Sequence, residues 1–324
     1  MSARGRVSRP GWRACAAMLG LLLAQSALAR TAADCPPAAQ PTPAEMQRAT
    51  AEAQDRGFLW RVSKDGRSSY LYGTLHLGSL ATALPGPATR EALQNSDVLA
   101  LELDLLDPDI QQRLARSLRA GARPEPLTEA LGKRLRAQVA AACLAPAAMQ
   151  GIPPLLQLAT LSALAARRDG LDPAFGVDGL LGATAHAEGK PVLSLETPEA
   201  QVALLTDFSA HEERELIEQG LADLESGRAR KLLERTAAIW AGSRLAELES
   251  YAQWCDCMRD ERERRYMKRL LDERNQEMAV AIARLHGEGR SLFVAVGSLH
   301  MIGAQGLPAL LRAQGFDVAR ITPR

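Results

Sequence analysis

Aromatic residues are scarce in this chain of 324, at 4% of the total, and neither sign of charge dominates: 39 Lys and Arg face 38 Asp and Glu. With no basic excess and few aromatic rings, nucleic acid is not expected as a partner. Beyond the first thirty residues no apolar run is long enough to cross about 30 Å of hydrocarbon, so no transmembrane segment is expected after them. Five cysteines are too few for a disulfide-dense mini-domain, and 47% apolar with 24% charged residues excludes a disordered or collagen-like chain. There is also no P-loop, no G-x-G-x-x-G after a strand, no H-E-x-x-H and no G-x-S-x-G. Phosphate-binding, dinucleotide and serine-hydrolase readings therefore lack their starting residues.

What is present begins with a secretory pattern. Arg4, Arg6, Arg9 and Arg13 precede an apolar run from Ala14 to Leu23, and Ala27-Leu28-Ala29 supplies a small-residue cleavage site. Residues 1–29 are predicted to be a signal peptide, which makes the mature protein an exported one, periplasmic or secreted. Cleavage would leave 35 basic residues, 39 less four, against 38 acidic. Residues 30–50, with Pro36, Pro37, Pro41 and Pro43 among alanines, read as a flexible lead-in, and 51–324 as a single domain. In an oxidising compartment Cys35, Cys143, Cys255 and Cys257 suggest two disulfides. A bridge across a single intervening residue would be strained, which favours pairing Cys255 and Cys257 with Cys35 and Cys143 over a bridge to each other. A thiolate metal site lacks the second cysteine pair that such sites use.

Strands are predicted at Phe58–Val62 and Ser69–Leu75, joined by a Lys64-Asp65-Gly66 turn, and at Val98–Leu103, Pro191–Leu195, Leu292–Val296 and Phe316–Ile321. Helical pattern fills most of the rest, with starts at Asp107-Pro108 and Thr197-Pro198. Residues 211–288 are almost wholly helical in pattern; within them Tyr266, Leu270, Leu271, Met278 and Ile282 recur near the 3.6 period. The expected fold class is α/β (α+β), a central sheet with a large helical insertion between the outer strands.

One internal similarity carries the functional reading. The segment Tyr70 to His76 resembles Phe293 to His300: each is an apolar strand running into Gly-x-Leu-His, with Gly78 or Gly303 close behind. Each is followed by a short helix and another strand, so one β-(Gly-x-x-His)-α-β unit is used twice. A strand ending in Gly-x-x-His releases its histidine at the sheet edge where open α/β folds keep their ligand crevices. If the units pack side by side, His76 and His300 converge. Glu102 ends the strand after the first unit, in an apolar run where a carboxylate needs a partner. Two histidines and a carboxylate are a set that holds a catalytic divalent metal, Zn²⁺ among the candidates. A structural hydrogen-bonding role for each histidine, and a solvent-facing role for Glu102 beside Asp104, are the competing readings. Asp178 and Glu196 are placed to face the same crevice or to cap helices. Arg274 and Asn275 interrupt a helical apolar stripe and could hold a carboxylate or a substrate carbonyl. His186, His211 and His286 receive no role, the last two lying in charged contexts that look exposed.

In these residues the chain resembles the TraB/GumN family, which includes PrgY and the animal Tiki proteins. The matching pieces are Tyr72-Gly73-Thr74-Leu75-His76, Leu101-Glu102-Leu103-Asp104, Gly179 to Glu196 with Thr197 and Gln201, Leu270 to Asn275, Val296 to His300 and Gly306-Leu307-Pro308. Trp254-Cys255-Asp256-Cys257 points to the GumN branch. The resemblance implies a fold related to the haem-binding ChaN and erythromycin-esterase proteins. It implies a site in which His76, His300 and Glu102 hold a metal, with Glu102 also a candidate catalytic base and Arg274 supporting. Through the Tiki members it implies manganese or cobalt as cofactor and a peptide or protein substrate. The expectation is an exported metal-dependent hydrolase, a peptidase. The alternatives are a haem- or metal-binding envelope protein without turnover, and a non-enzymatic accessory to polysaccharide production or conjugation.

Overall fold

The computed structural model describes residue 35 and residues 39–120 and 126–322. The predicted signal peptide, residues 1–29, lies outside the described residues, as do 30–34 and 36–38 of the lead-in. The remainder of the lead-in is not structureless. Pro43–Ala51 is a helix, started by a Thr42 side chain that accepts from Glu45 N–H while the Glu45 carboxylate returns to Thr42 N–H.

Six strands form one sheet: β1 (Phe58–Lys64), β2 (Arg67–Thr74), β3 (Val98–Leu101), β4 (Val192–Ser194), β5 (Leu292–Gly297) and β6 (Asp317–Ile321), in the order β4-β3-β5-β2-β1-β6. Asp65 and Gly66 both take positive φ, 51° and 76°, the geometry a two-residue hairpin needs to follow the twist of β1 and β2. Strands β4, β3, β5 and β2 are mutually parallel, and β6 is antiparallel to β1, itself antiparallel to β2. Only β1 therefore runs against the rest.

The two β-α-β units are thus both parallel crossovers, but of different span. The first passes from β2 over β5 to β3, and the second from β5 over β2 and β1 to β6. Their first strands lie side by side in parallel register, Gly73 opposite Val296 and Thr74 opposite Gly297. All four residues of β3 and the first five of β5 are buried, so both faces of the central strands are covered. The core joins Leu71, Leu99, Phe293 and Val294 from the sheet to Leu181, Ile239, Met278, Ile282 and Leu311 from helices.

The helical insertion has a core of its own, built from Leu131, Leu135, Val139, Met149, Leu158, Leu161, Ile217 and Leu221. Here the predicted cysteine pairing fails. Cys35 is bonded to Cys143, and Cys255 to Cys257. The adjacent bridge closes because Asp256 between the two cysteines adopts φ 53°, which turns the chain back within one residue. Asp is among the few residues that enter this left-handed region readily.

The helical pattern that carries Tyr266, Leu270, Leu271, Met278 and Ile282 is also modified. It is α-helical over Glu261–Met267 and Arg274–Gly287, with a six-residue π-helical stretch, Lys268–Glu273, between. Such wide turns occur mostly as local bulges and frequently at functional sites.

Candidate functional site

Four neighbouring parallel strands end on one edge of the sheet, and each delivers a polar side chain there. Just past their ends stand Glu196 after β4, Glu102 after β3, His300 after β5 and His76 after β2. Pairing continues beyond β3 and β4, where Leu195 N–H donates to Leu101 O (2.8 Å) and Glu196 N–H to Glu102 O (3.0 Å), setting the two glutamates side by side. The Nε2 atoms of His76 and His300 lie 3.9 and 3.8 Å from the same oxygen, Glu102 Oε1.

The two motif glycines serve different ends. A Cβ on Gly73 would stand 3.0 Å from Ser298 Oγ and 3.2 Å from Met301 Cγ, so its absence lets the His300 turn settle against β2. Ser298 then donates to Thr74 O at 2.8 Å. A Cβ on Gly297 would point into the site itself, 3.3 Å from Glu102 Oε1, 3.6 Å from His300 Cδ2 and 3.7 Å from His76 Nε2. Gly297 also donates its N–H to Glu102 Oε1 (2.8 Å). Gly78 and Gly176 play a similar spatial part, allowing the segment before the Val177–Glu188 helix to press on the His76 loop. An added Cβ would meet Phe175 O at 2.8 Å and His76 O at 2.9 Å, respectively. Asp178, in the first turn of that helix, is thereby brought to His76, whose Nδ1 lies 3.2 Å from Asp178 Oδ2.

His300 is held differently. Asn275, itself buried, donates from Nδ2 to Gln305 O at 2.8 Å, which turns its Oδ1 toward His300 Nδ1 at 2.7 Å. An amide oxygen can only accept, so Nδ1 carries the proton, and the neutral ring presents its lone pair at Nε2. Burial lowers the His300 pKa to about 4, which keeps the ring neutral near pH 7. The His76 ring is far more open, its side chain 64% exposed against 5% for His300. The Asp178 carboxylate, with help from Glu102 and against the pull of desolvation, raises its pKa well above the ordinary imidazole value.

Glu102 is nearly buried. Burial is the largest influence on it and acts to raise its pKa, but His76, His300, Arg274 and the Gly297 N–H together bring the value down to about 2. Arg274 forks between two carboxylates. Nη2 reaches Glu102 Oε2 at 2.5 Å and Glu196 Oε2 at 2.6 Å, and Nε reaches Glu196 Oε1 at 2.7 Å. Its Nη1 donates to Leu270 O (3.0 Å), in the π-helical stretch. Gln201, one turn into the helix capped by Thr197, donates to Glu196 Oε2 at 2.8 Å.

All seven residues singled out in the sequence, His76, Glu102, Asp178, Glu196, Arg274, Asn275 and His300, therefore lie in one connected cluster. The Gly297 N–H and the Gln305 carbonyl were not foreseen. As backbone groups they leave no side-chain signal. Gln201 was visible only as part of the family pattern. Of the histidines given no role, His186 Nε2 lies 2.8 Å from Asp104 Oδ2. His286 is buried, not exposed, with Nδ1 2.9 Å from Ser69 Oγ and Nε2 3.1 Å from Lys64 O. Neither belongs to the cluster.

The donors suit a divalent cation in kind. A neutral imidazole lone pair and an ionised carboxylate oxygen face one another at 3.8 Å with no proton between them, and both Nδ1 atoms are held by oxygen acceptors, the arrangement that steadies metal-ligating imidazoles. The spacing is not closed on an ion, however: among the described residues no group of three or more His, Cys, Asp and Glu side chains is set to hold one.

The sequence profile of the TraB/PrgY/gumN family matches residues 58–320, from the first residue of β1 to within β6. The chain belongs to the TraB/PrgY/gumN family. Two relatives, the uncharacterized protein YbaP of Shigella flexneri and that of Escherichia coli (strain K12), are each 27% identical to it over 254 residues, covering 76% of this chain and 88% of theirs. No solved structure matches. The TraB/PrgY/gumN match takes in both Gly-x-Leu-His units, every residue of the cluster and the Cys255–Cys257 pair, and leaves outside it Cys35 and the Pro43–Ala51 helix.

Proposed function

We propose that this TraB/PrgY/gumN protein is an exported metal-dependent hydrolase that cleaves peptides, with the ion held by His76, His300 and Glu102. The observation that carries the reading is the approach of two Nε2 atoms to one carboxylate oxygen, at 3.8 and 3.9 Å, around a glycine that leaves the space between them free. A divalent ion there would supply an acidified water and a polarising charge for a peptide carbonyl, and the family resemblance favours Mn²⁺ or Co²⁺ over Zn²⁺.

The chain's own residues divide the work. Asn275 and Asp178 fix the rings through Nδ1, so that Nε2 of each points inward. His76 and Arg274 help keep Glu102 ionised, and Arg274, spent on two carboxylates, orients rather than touches substrate. Glu102 Oε1, ionised and held by the Gly297 N–H, is the carboxylate oxygen that would face the ion between the two rings. His76, with its side chain 64% exposed, is the member of the set open to an incoming substrate. Export rests on the arginine-rich start, the apolar run and Ala27-Leu28-Ala29, and N-terminal sequencing of the mature protein should begin at Arg30.

The test is digestion of a peptide library by purified mature protein with added Mn²⁺ or Co²⁺, beside a His300→Ala variant. Cleavage by the first and none by the second supports the reading. An ion retained by both His ligands with no peptide cut under any metal would leave a binding protein without turnover.

A further inference from the structure

The two disulfides differ in what they tie. Cys35–Cys143 spans 108 residues and joins the N-terminal segment to the helical insertion, whereas Cys255–Cys257 spans two and joins nothing remote. A bridge so local contributes little by restraining the unfolded chain, so its place in the fold calls for another reason. Its surroundings supply one. Cys255 is buried with Tyr251 and Met267, and against this cluster pack Cys257, Leu270, Leu271, Leu299 and Ile302. Leu270 and Leu271 belong to the π-helical stretch, and the Leu270 carbonyl accepts from Arg274 Nη1. Leu299 immediately precedes His300 in its turn. Both segments that bring Arg274 and His300 to Glu102 therefore pack on the cluster to which the bridge belongs.

The chemistry of the pair is asymmetric. Cys257 is half-buried and Cys255 buried, so an external thiolate reaches Cys257 first. The Cys257 N–H points at Cys255 Sγ, 3.2 Å away, and would stabilise that sulfur as a leaving thiolate. Asp256 between them holds the left-handed conformation on which ring closure depends, and opening the ring releases it.

We propose that Cys255–Cys257 is a thiol–disulfide exchange site, taking an external dithiol as reactant, whose redox state sets the placement of Arg274 and His300. One thiolate of the dithiol attacks Cys257 Sγ, breaking the Sγ–Sγ bond and expelling Cys255 as thiolate. The second thiolate of the reductant then attacks the mixed disulfide on its own sulfur and releases Cys257. Two electrons and two protons pass to the cysteine pair, and the dithiol leaves as its disulfide. With the ring open, the cluster on which Leu270 and Leu299 pack loses a fixed member and the two segments relax. The inference does not depend on what reaction the cluster performs.

The test uses the mature full chain equilibrated in mixtures of reduced and oxidised dithiothreitol, alkylated and mapped by mass spectrometry, with ¹⁵N-histidine spectra recorded in parallel on its five histidines. Cys255 and Cys257 should become alkylated at a dithiol-to-disulfide ratio about ten-fold lower than Cys35 and Cys143 do. His300 resonances should shift over that same lower range. A Cys255→Ser/Cys257→Ser variant should show the shifted His300 signal without reductant, and a Cys35→Ser/Cys143→Ser variant should not. Simultaneous reduction of both bridges, or selective reduction that leaves His300 unmoved, would overturn the proposal.

Discussion

Asn275 and His300 are joined at 2.7 Å by a bond whose direction is fixed from behind, because the amide nitrogen donates to the Gln305 carbonyl and leaves the amide oxygen facing the ring. This pins the histidine tautomer, and with it the presentation of a lone pair to Glu102. Replacing Asn275 with Leu keeps much of the volume and removes the acceptor. Affinity for Mn²⁺ or Co²⁺, measured by competition with a chromophoric chelator, should fall by about 10- to 100-fold, the usual effect of losing such a partner. An unchanged affinity would mean that the bond serves only packing.

Burial of neutral His300 makes metal-free stability depend on pH. Its folded pKa, about 4, lies below the ordinary 6.5, so between these values the unfolded chain binds more protons at this site than the folded one. Stability from this group is complete above pH 6.5 and declines as pH falls toward 4, by about 3 kcal/mol at most. Urea midpoints of the metal-free protein should fall across that window, and His300→Gln should flatten the fall. Parallel pH profiles for both proteins would refute the assignment.

Arg274 neutralises two carboxylates that are themselves nearly buried, with Glu102 and Glu196 side chains 11% and 5% exposed. Removing it leaves Glu196 with only the Gln201 amide and Glu102 with His76 and the Gly297 N–H. Arg274→Ala should destabilise the fold by about 3–5 kcal/mol in denaturant titrations. Adding Glu196→Gln should restore part of that loss, because only one charge is then left without its partner. A double variant no more stable than the single would show that Arg274 acts through packing.

Gly297 allows the proposed metal site to be tested apart from the fold. The Cβ introduced by Gly297→Ala would enter the space between Glu102 and the two histidines, which supply its three nearest atoms at 3.3–3.7 Å. Thermal stability should change by less than about 1 kcal/mol, while metal affinity drops at least as far as in Asn275→Leu. Equal loss of both would mean that the glycine serves the strand rather than the site.

The sheet was legible because its strands are short runs of apolar and β-branched residues closed by turn signals. The Asp65-Gly66 hairpin, the parallel pair carrying the repeated motif and all six strands fall within a few residues of their predicted positions. The cluster was legible for a related reason: strand ends in a parallel sheet share an edge, so a motif repeated at two strand ends brings its histidines together. What escaped the sequence depends on contacts between remote segments. Burial of His286 is made by Ser69 and Lys64, more than two hundred residues away. The π-helical stretch keeps the same apolar residues as an α-helix and leaves no change of pattern to detect. The Cys255–Cys257 bridge turns on one positive φ at Asp256, which spacing alone does not reveal.

The decisive measurement is the metal content of the purified mature protein after equilibration with Mn²⁺, Co²⁺ or Zn²⁺ and exhaustive dialysis, set beside that of a His76→Ala/His300→Ala variant of verified fold. Retention of about one ion per chain by the parent and none by the variant is the predicted result. A parent that holds no ion at saturating concentrations of all three, or a variant that holds as much as its parent, would contradict it.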